Sequence, residues 1–151
     1  MITLSSAIKQ TLLCITICIG LFASSAALAV EYGTFTVSKV ISVYDGDTFR
    51  VDIDELSPIA GKNIPIRVNG VDTPEIQGKC DSEKELAIEV RDYVAGLLDN
   101  ADEILLVNTE RGKYFRILAV VMIDGVNLAE LLIDNGLGYA YEGDTKKSWC
   151  E

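Results

Sequence analysis

Apolar and polar residues alternate along three segments between residues 33 and 71, and this alternation predicts β-strands. The segments are Gly33 to Val43, Thr48 to Ile53 and Ile64 to Val71. The Asp45-Gly46 pair between the first two is a tight-turn signal. The stretch from Leu56 to Asn63 holds a proline and a glycine, so it is predicted to be a loop.

Helical periodicity follows in two places. The run Ser82-Glu83-Lys84-Glu85 matches a capping box and predicts the start of a helix that ends at Asp99-Asn100. Asn127 is positioned to cap a shorter helix that runs to Ile133. These two segments are the predicted helices of the domain.

Two more strands complete the predicted set, from Glu103 to Val107 and from Tyr114 to Ile123. The order is then three strands, a helix, two strands and a short helix. This order fits an α+β, mostly β domain: a five-stranded OB-fold Greek-key barrel with two or so helices. A split α+β sandwich is the alternative that the pattern leaves open.

The first 29 residues have the features of a secretory signal peptide. Lys9 is the positive charge, Leu12 to Ala23 is a short apolar region, and Ala27-Leu28-Ala29 is a small-residue cleavage site. We therefore expect cleavage after Ala29 and one domain over residues 30–151, secreted or periplasmic and without stable membrane association after cleavage. The alternative is an uncleaved membrane anchor, although the apolar run is shorter than the roughly 20 residues of a spanning helix.

Net charge and cysteine content limit the classes of function that the chain can have. The net charge is −10, and loss of Lys9, the one charged residue of the first 29, changes it to −11. Such a chain repels polyanions at long range, which disfavours a tight non-specific nucleic-acid binder. Only Cys80 and Cys150 remain after cleavage, either as a disulfide outside the cytoplasm or as two free thiols. Without histidine they do not make a zinc site.

Acidic and basic residues of two kinds mark the candidate chemistry. Asp47 follows the tight turn, and Asp72 and Glu75 flank a proline at a strand exit. Carboxylates bind a hard cation and orient a water molecule, whereas Arg67 and Arg116 are suited to the charge that develops on phosphate oxygens. Each residue also has an ordinary interpretation as a polar turn or surface position, so only the combination indicates phosphodiester chemistry.

Strand parity sets a condition for this site. Arg67 and Asp72 are five residues apart, which places them on opposite faces of a regular strand. A shared site therefore requires a bend near Asn69-Gly70, which glycine permits.

The order of three motifs resembles the staphylococcal nuclease (thermonuclease) family. The motifs are Asp45-Gly46-Asp47-Thr48, then Arg67 followed by Asp72-Thr73-Pro74-Glu75, then Lys113-Tyr114 with Arg116, and the resemblance runs from about Val37 to Tyr141. It implies an OB-fold that hydrolyses DNA and RNA with Ca²⁺ and leaves 3′-phosphates. We expect a monomer that acts on both polymers with little sequence preference.

The resemblance also implies roles for individual residues. Metal ligands are expected from Asp47, Asp72 and the main-chain carbonyl of Thr73, and Glu75 matches the general base. Arg67 and Arg116 match the two catalytic arginines that hold the phosphate and stabilise the transition state, and Lys113 and Tyr114 match the pair that binds the terminal phosphate of a nucleotide. Tyr141, an aromatic residue of the tail, is a further candidate for substrate binding.

The chain departs from the family pattern in ways that bear on substrate affinity. Phe115 stands where the family usually has glycine, and the shorter loop after Glu75 carries Cys80. The cysteine pair and the tail from Gly143 to Trp149 look like those of exported bacterial relatives. Two rival functions stay open: a non-catalytic nucleic-acid-binding module on the same fold, and a periplasmic partner-binding domain with a functional acidic surface.

Overall fold

The computed structural model describes residues 32–150, so the predicted signal peptide of residues 1–29 lies outside the described residues. The described chain contains nine strands and three α-helices. The strands are β1 (Phe35–Thr36), β2 (Lys39–Val43), β3 (Thr48–Asp52), β4 (Ile64–Val68), β5 (Gly70–Asp72), β6 (Ile104–Arg111), β7 (Ile117–Ile123), β8 (Val126–Asn127) and β9 (Tyr139–Tyr141). The helices are α1 (Pro58–Gly61), α2 (Asp81–Asp99) and α3 (Leu128–Asp134). None of these helices is long and apolar enough to span a membrane.

Seven strands form one curled mixed sheet in the order β1-β6-β7-β4-β3-β2, with β8 paired to β7. The β4–β7 pair is parallel, and the other pairs of this sheet are antiparallel. The remaining strands, β5 and β9, pair antiparallel with each other. The sheet curls into a half-barrel with the helices packed on it, which confirms the predicted OB-fold-like α+β class.

The core follows the alternation seen in the sequence. On β3 and the residue after it, Phe49, Val51 and Ile53 are fully buried, while Arg50 between them is exposed. The apolar stripe of α2 closes the core through Ala87, Val90, Val94 and Leu98. Burial of each valine or leucine side chain contributes roughly 1.5–3 kcal/mol, so this interface anchors α2 firmly.

The start of α2 differs from the prediction. The helix begins at Asp81 with Cys80 as its N-cap residue, not at Ser82. The Glu83 carboxylate reaches back and accepts a hydrogen bond from the Lys79 main-chain N–H at 2.8 Å. Glu83 stands three residues after this N-cap, two positions earlier than the glutamate of the predicted capping box, and it bonds the residue before the N-cap and not the N-cap itself.

Several boundaries were also predicted wrongly. The predicted loop at residues 56–63 contains α1, and β6 continues to Arg111 past a register shift beyond Val107. Strand β7 begins at Ile117 because Lys113–Phe115 form a 3₁₀ turn. The short strands β1, β5, β8 and β9 were not predicted as separate elements, because two or three residues are too few to show an alternation.

Candidate active site

Asp47 is held in the wall of the half-barrel at the start of β3. The turn before it closes through a hydrogen bond from the Tyr44 N–H to the Thr48 carbonyl at 2.9 Å. Asp47 is 1% exposed, and its carboxylate accepts hydrogen bonds from the Thr48 hydroxyl at 2.9 Å and the Thr73 N–H at 3.2 Å. A Cβ at Gly46 would come within 2.5 Å of Val90 on α2, so the turn requires glycine to reach this position.

Arg67 joins the two acidic motifs. Its NH1 nitrogen pairs with the Asp47 carboxylate, and its NH2 nitrogen lies 3.3 Å from the Asp72 carboxylate. The bend that this contact requires is present: β4 ends at Val68, β5 begins at Gly70, and Gly70 has φ +87°. The left-handed glycine turns the strand so that Asp72 faces the same site as Arg67.

Three buried carboxyl groups lie close together: Asp47 and Asp72 pair with Arg67, and Asp45 accepts a hydrogen bond from the Asp47 N–H at 3.2 Å. Asp45, Asp47 and Asp72 are 3%, 1% and 2% exposed. Burial, followed by the charge of Asp47, raises the pKa of Asp45 to about 7. Burial also raises the pKa of Asp47, although the Arg67 guanidinium opposes this effect. The site thus holds more buried carboxyl oxygens than Arg67 and Lys146 contact.

This excess of oxygen donors fits a hard divalent cation. Asp47 and Asp72 supply carboxylate oxygens, and the Thr73 hydroxyl beside them is buried without a hydrogen-bond partner within residues 32–150. Ca²⁺ takes six to eight such oxygen ligands. Within the described residues, Cys80, Glu83 and Cys150 form a second cluster of ligand-type atoms, but both sulfurs are in a disulfide, so that cluster is not a thiolate metal site.

Glu75 lies at the mouth of the site. Its side chain is 42% exposed, and its carboxylate pairs with Lys146 at 2.5 Å. Glu83 fixes the main chain here by accepting hydrogen bonds from the N–H groups of Glu75 and Lys79. Glu75 is therefore open to solvent while the backbone that carries it is anchored to α2.

Arg116 directly precedes β7, the strand that pairs with β4. The 3₁₀ turn before it closes through a hydrogen bond from the Gly112 N–H to the Arg116 carbonyl at 2.9 Å. Arg116 Nε is buried and has no hydrogen-bond partner within residues 32–150, and the residue lines the pocket. Phe115 is 81% exposed and does not line the pocket, so it leaves Arg116 open to it.

One pocket of about 550 Å³ collects most of the predicted residues. It is lined by Arg67, Glu75, Lys113, Arg116 and Tyr141. Tyr114 instead lines an adjoining pocket of about 460 Å³, which also contains Arg116. The buried Asp47 and Asp72 reach the first pocket through their contacts with Arg67, with Thr73 packed beside them.

Three residues of the site were not predicted from the sequence. Asp45 was taken for a polar turn residue, and Glu83 for part of a helix start. Lys146 pairs with Asp72 at 2.8 Å and with Glu75, yet it is 71 residues from Glu75 in the chain. The sequence carries no local signal for that contact, because it depends on the path of the tail.

A disulfide and an aromatic contact hold Trp149 and Cys150 of the tail in place. A disulfide joins Cys80 and Cys150, whose Cα atoms are 6.0 Å apart. Trp149 stacks on Tyr139, with ring centroids 4.1 Å apart. These contacts fix both the short loop after Glu75 and the chain end.

Fold and site together define a nuclease-like protein, and the comparison with known families agrees. The family model described as staphylococcal nuclease homologue matches residues 65–149. This match covers more than half of the chain, so the protein belongs to the staphylococcal nuclease homologue family. No curated protein matches the chain significantly. The family consists of nuclease-like hydrolases, generally Ca²⁺-dependent, with nucleic acids as substrates.

The matched region contains some of the candidate site residues but not all of them. It includes Arg67, Asp72, Glu75 and Arg116 but begins after Asp47. Only the folded chain brings Asp47 to Arg67, because β3 and β4 pair antiparallel with Thr48 opposite Arg67. The first acidic motif is therefore part of the same site.

Proposed function

We propose that this protein is an exported, calcium-dependent nuclease that hydrolyses phosphodiester bonds of DNA and RNA with little sequence preference. The observation that carries the proposal is the Arg67 guanidinium between the buried Asp47 and Asp72, at a pocket that Glu75 and Arg116 also line. A non-catalytic binding module has no use for an exposed carboxylate at this position. No sequence preference is expected because the pocket presents groups for phosphate and for stacking.

In the proposed reaction, water attacks phosphorus and the bond from phosphorus to the 5′ oxygen breaks. Glu75 orients the water and accepts its proton, and the products are a 3′-phosphate and a 5′-hydroxyl. Arg67 and Arg116 hold the phosphate from two sides and stabilise the charge that builds on its oxygens. When bound by Asp47, Asp72 and the Thr73 carbonyl, Ca²⁺ supplies electrophilic stabilisation of that phosphate.

The remaining pocket residues position the polymer. Lys113 and Tyr114 are exposed residues of the 3₁₀ turn, and their proposed role is to bind the terminal phosphate of a bound nucleotide. Tyr141 lines the pocket from β9. Its aromatic ring offers a stacking surface for a base or sugar without discriminating among bases.

Product analysis tests this function. Matched DNA and RNA oligonucleotides are incubated with the purified protein and Ca²⁺, and the fragments are weighed by mass spectrometry. We expect both polymers to be cut at many positions, with 3′-phosphate and 5′-hydroxyl ends. Fragments with 5′-phosphate ends contradict the reaction, and binding without any cleavage supports the binding-module alternative.

Export of a monomeric domain over residues 30–151 belongs to the same proposal. The Cys80–Cys150 disulfide supports it, since such bonds persist in oxidising compartments. Mass spectrometry of the protein from the periplasm or medium is expected to show Val30 as the first residue and no free thiol. Retention of residues 1–29, or two titratable thiols, contradicts the proposal.

A further inference from the structure

A lysine from the chain end occupies the acidic side of the site. The Lys146 ammonium lies 2.8 Å from an Asp72 carboxylate oxygen and 2.5 Å from a Glu75 carboxylate oxygen. A full positive charge thus bridges two of the acids that the nuclease reaction uses.

The position of this charge is built into the fold. The C-terminal strap, defined as residues 142–150, directly follows β9. Strand β9 pairs with β5, where Tyr139 lies opposite Asp72. It ends at the disulfide to Cys80, directly before α2. With both ends tied, Lys146 stays near Asp72 at a high effective concentration.

The neighbouring lysine has a different environment. The Lys147 ammonium lies over the Tyr139 ring, 4.9 Å from its centroid, and makes no ion pair within the described residues. The strap therefore carries two adjacent positive charges, of which only one contacts the carboxylates. A neutral substitution of Lys147 therefore changes the net charge alone, whereas one of Lys146 also removes the contacts with Asp72 and Glu75.

A divalent cation and this ammonium use the same acids. Two positive charges on one carboxylate repel each other. Cation binding at Asp72 thus requires Lys146 to leave that oxygen. Because the Lys146 side chain is 42% exposed, it has room to move toward solvent or toward the pocket.

We propose that Lys146 is an internal competitor for the divalent cation, held by the C-terminal strap, and that it sets the calcium affinity of the site. Without the cation, Lys146 neutralises Asp72 and Glu75 and keeps them in place. With the cation bound, its ammonium leaves the Asp72 and Glu75 carboxylates. This inference rests on the proposed function, since it takes Asp72 to be a calcium ligand.

Calcium titration by calorimetry tests the inference without any nuclease assay. The chelator-treated protein is compared with K146Q, with K146R as the conservative variant and K147Q as the matched control. We expect K146Q to bind Ca²⁺ roughly tenfold more tightly, because two partly exposed ion pairs no longer compete. K146R should bind like the unaltered protein, and K147Q within about twofold of it, because only screened long-range charge changes.

The outcomes separate this inference from the proposed function. Equal or weaker binding by K146Q overturns the competitor role while leaving the calcium site intact. An equal gain in K147Q also overturns it, because the effect is then one of net charge. If neither the unaltered protein nor K146Q binds Ca²⁺, the assignment of Asp72 and the inference fail together.

The strap can be tested separately by removing its disulfide. In C80S/C150S the strap loses one tie, so Lys146 competes less and calcium affinity rises part of the way toward that of K146Q. Adding K146Q to this variant should then change the affinity less than it does in the disulfide-bonded protein. An undiminished K146Q effect shows that the strap does not hold Lys146, which contradicts that part of the proposal.

Discussion

Arg67 and Arg116 face the same pocket but differ in what they do for the folded state. Arg67 compensates two buried carboxylates, whereas the buried Nε of Arg116 has no partner within residues 32–150. Arg67 therefore contributes to the stability of the folded state. Because Arg116 compensates no buried carboxylate within the described residues, a substitution there can change activity without unpairing a buried charge.

We predict that R67A and R116A both reduce kcat/KM, each by roughly 10²–10³-fold, since each loses a donor to the charged phosphate. Only R67A is expected to lose substantial stability, about 3–5 kcal/mol in chelator, because it leaves buried charges unpaired. Urea unfolding and initial rates measure the two effects. Equal stability loss in both variants contradicts the assigned difference.

The raised pKa of Asp45 makes the stability of the folded protein depend on pH. Its pKa is raised to about 7 in the folded protein, so its protonated form is the stable one there. The stability it contributes is complete below the unfolded pKa of about 3.9 and is lost as the pH rises through about 7.

We therefore predict that D45N, which does not titrate, gains stability relative to the unaltered protein as the pH rises. In chelator the gain between pH 5 and pH 8 should be roughly 2–3 kcal/mol. Thermal or urea unfolding at both pH values measures it. A constant or shrinking difference contradicts the raised pKa.

At the scale of elements, the bend between β4 and β5 decides whether the acidic motifs meet. Gly70 has φ +87°, and a Cβ there would have room, since its nearest neighbour is 3.8 Å away. Substitution at Gly70 thus acts through backbone strain. Gly125 has φ +81° and open space, but it lies in the β7–β8 turn, so it is a matched control.

We predict that G70A and G125A each lose about 1–2 kcal/mol of stability, because alanine is strained at positive φ. Only G70A should also lose activity, by at least roughly tenfold, since it shifts Asp72 relative to Arg67. Equal activity in the two variants would show that the bend is not needed for the site.

Particular elements show how far the sequence predicts this molecule. The three alternating strands and α2 were predicted because their patterns extend over five or more residues, and the bend at Gly70 followed from strand parity. The N-cap of α2 was predicted at Ser82 instead of Cys80, because each of these residues is followed three positions later by a glutamate. The 3₁₀ turn at Lys113–Phe115 was missed because Tyr114 has a φ of +58°, which its residue type does not indicate. The Lys146 contact depends on a disulfide and a long path, so no local pattern reveals it.

At the scale of the whole molecule, the acidic chain concentrates its positive charge at the pocket. Five of its 13 basic residues line the pocket, against three acidic ones. The basic residues are Arg67, Arg111, Lys113, Arg116 and Lys146. Repulsion at long range is thus combined with local attraction, which favours the chemistry of the site over general binding.

We predict a shallow salt dependence from this arrangement. From about 50 to about 200 mM salt, kcat/KM on single-stranded DNA should fall by less than roughly twentyfold, because few phosphates are contacted and salt also screens the repulsion. Rates at fixed free Ca²⁺ measure it. A loss on the order of 10³-fold, typical of extended basic interfaces, contradicts it.

Cleavage of single-stranded DNA by the purified protein, with Ca²⁺ and with chelator, beside E75Q, tests the central claim most directly. We expect cleavage only with Ca²⁺, and a loss of roughly 10²–10⁴-fold in E75Q, which keeps its fold by circular dichroism but lacks the base. Cleavage that survives chelation, or an E75Q variant as active as the unaltered protein, contradicts the account.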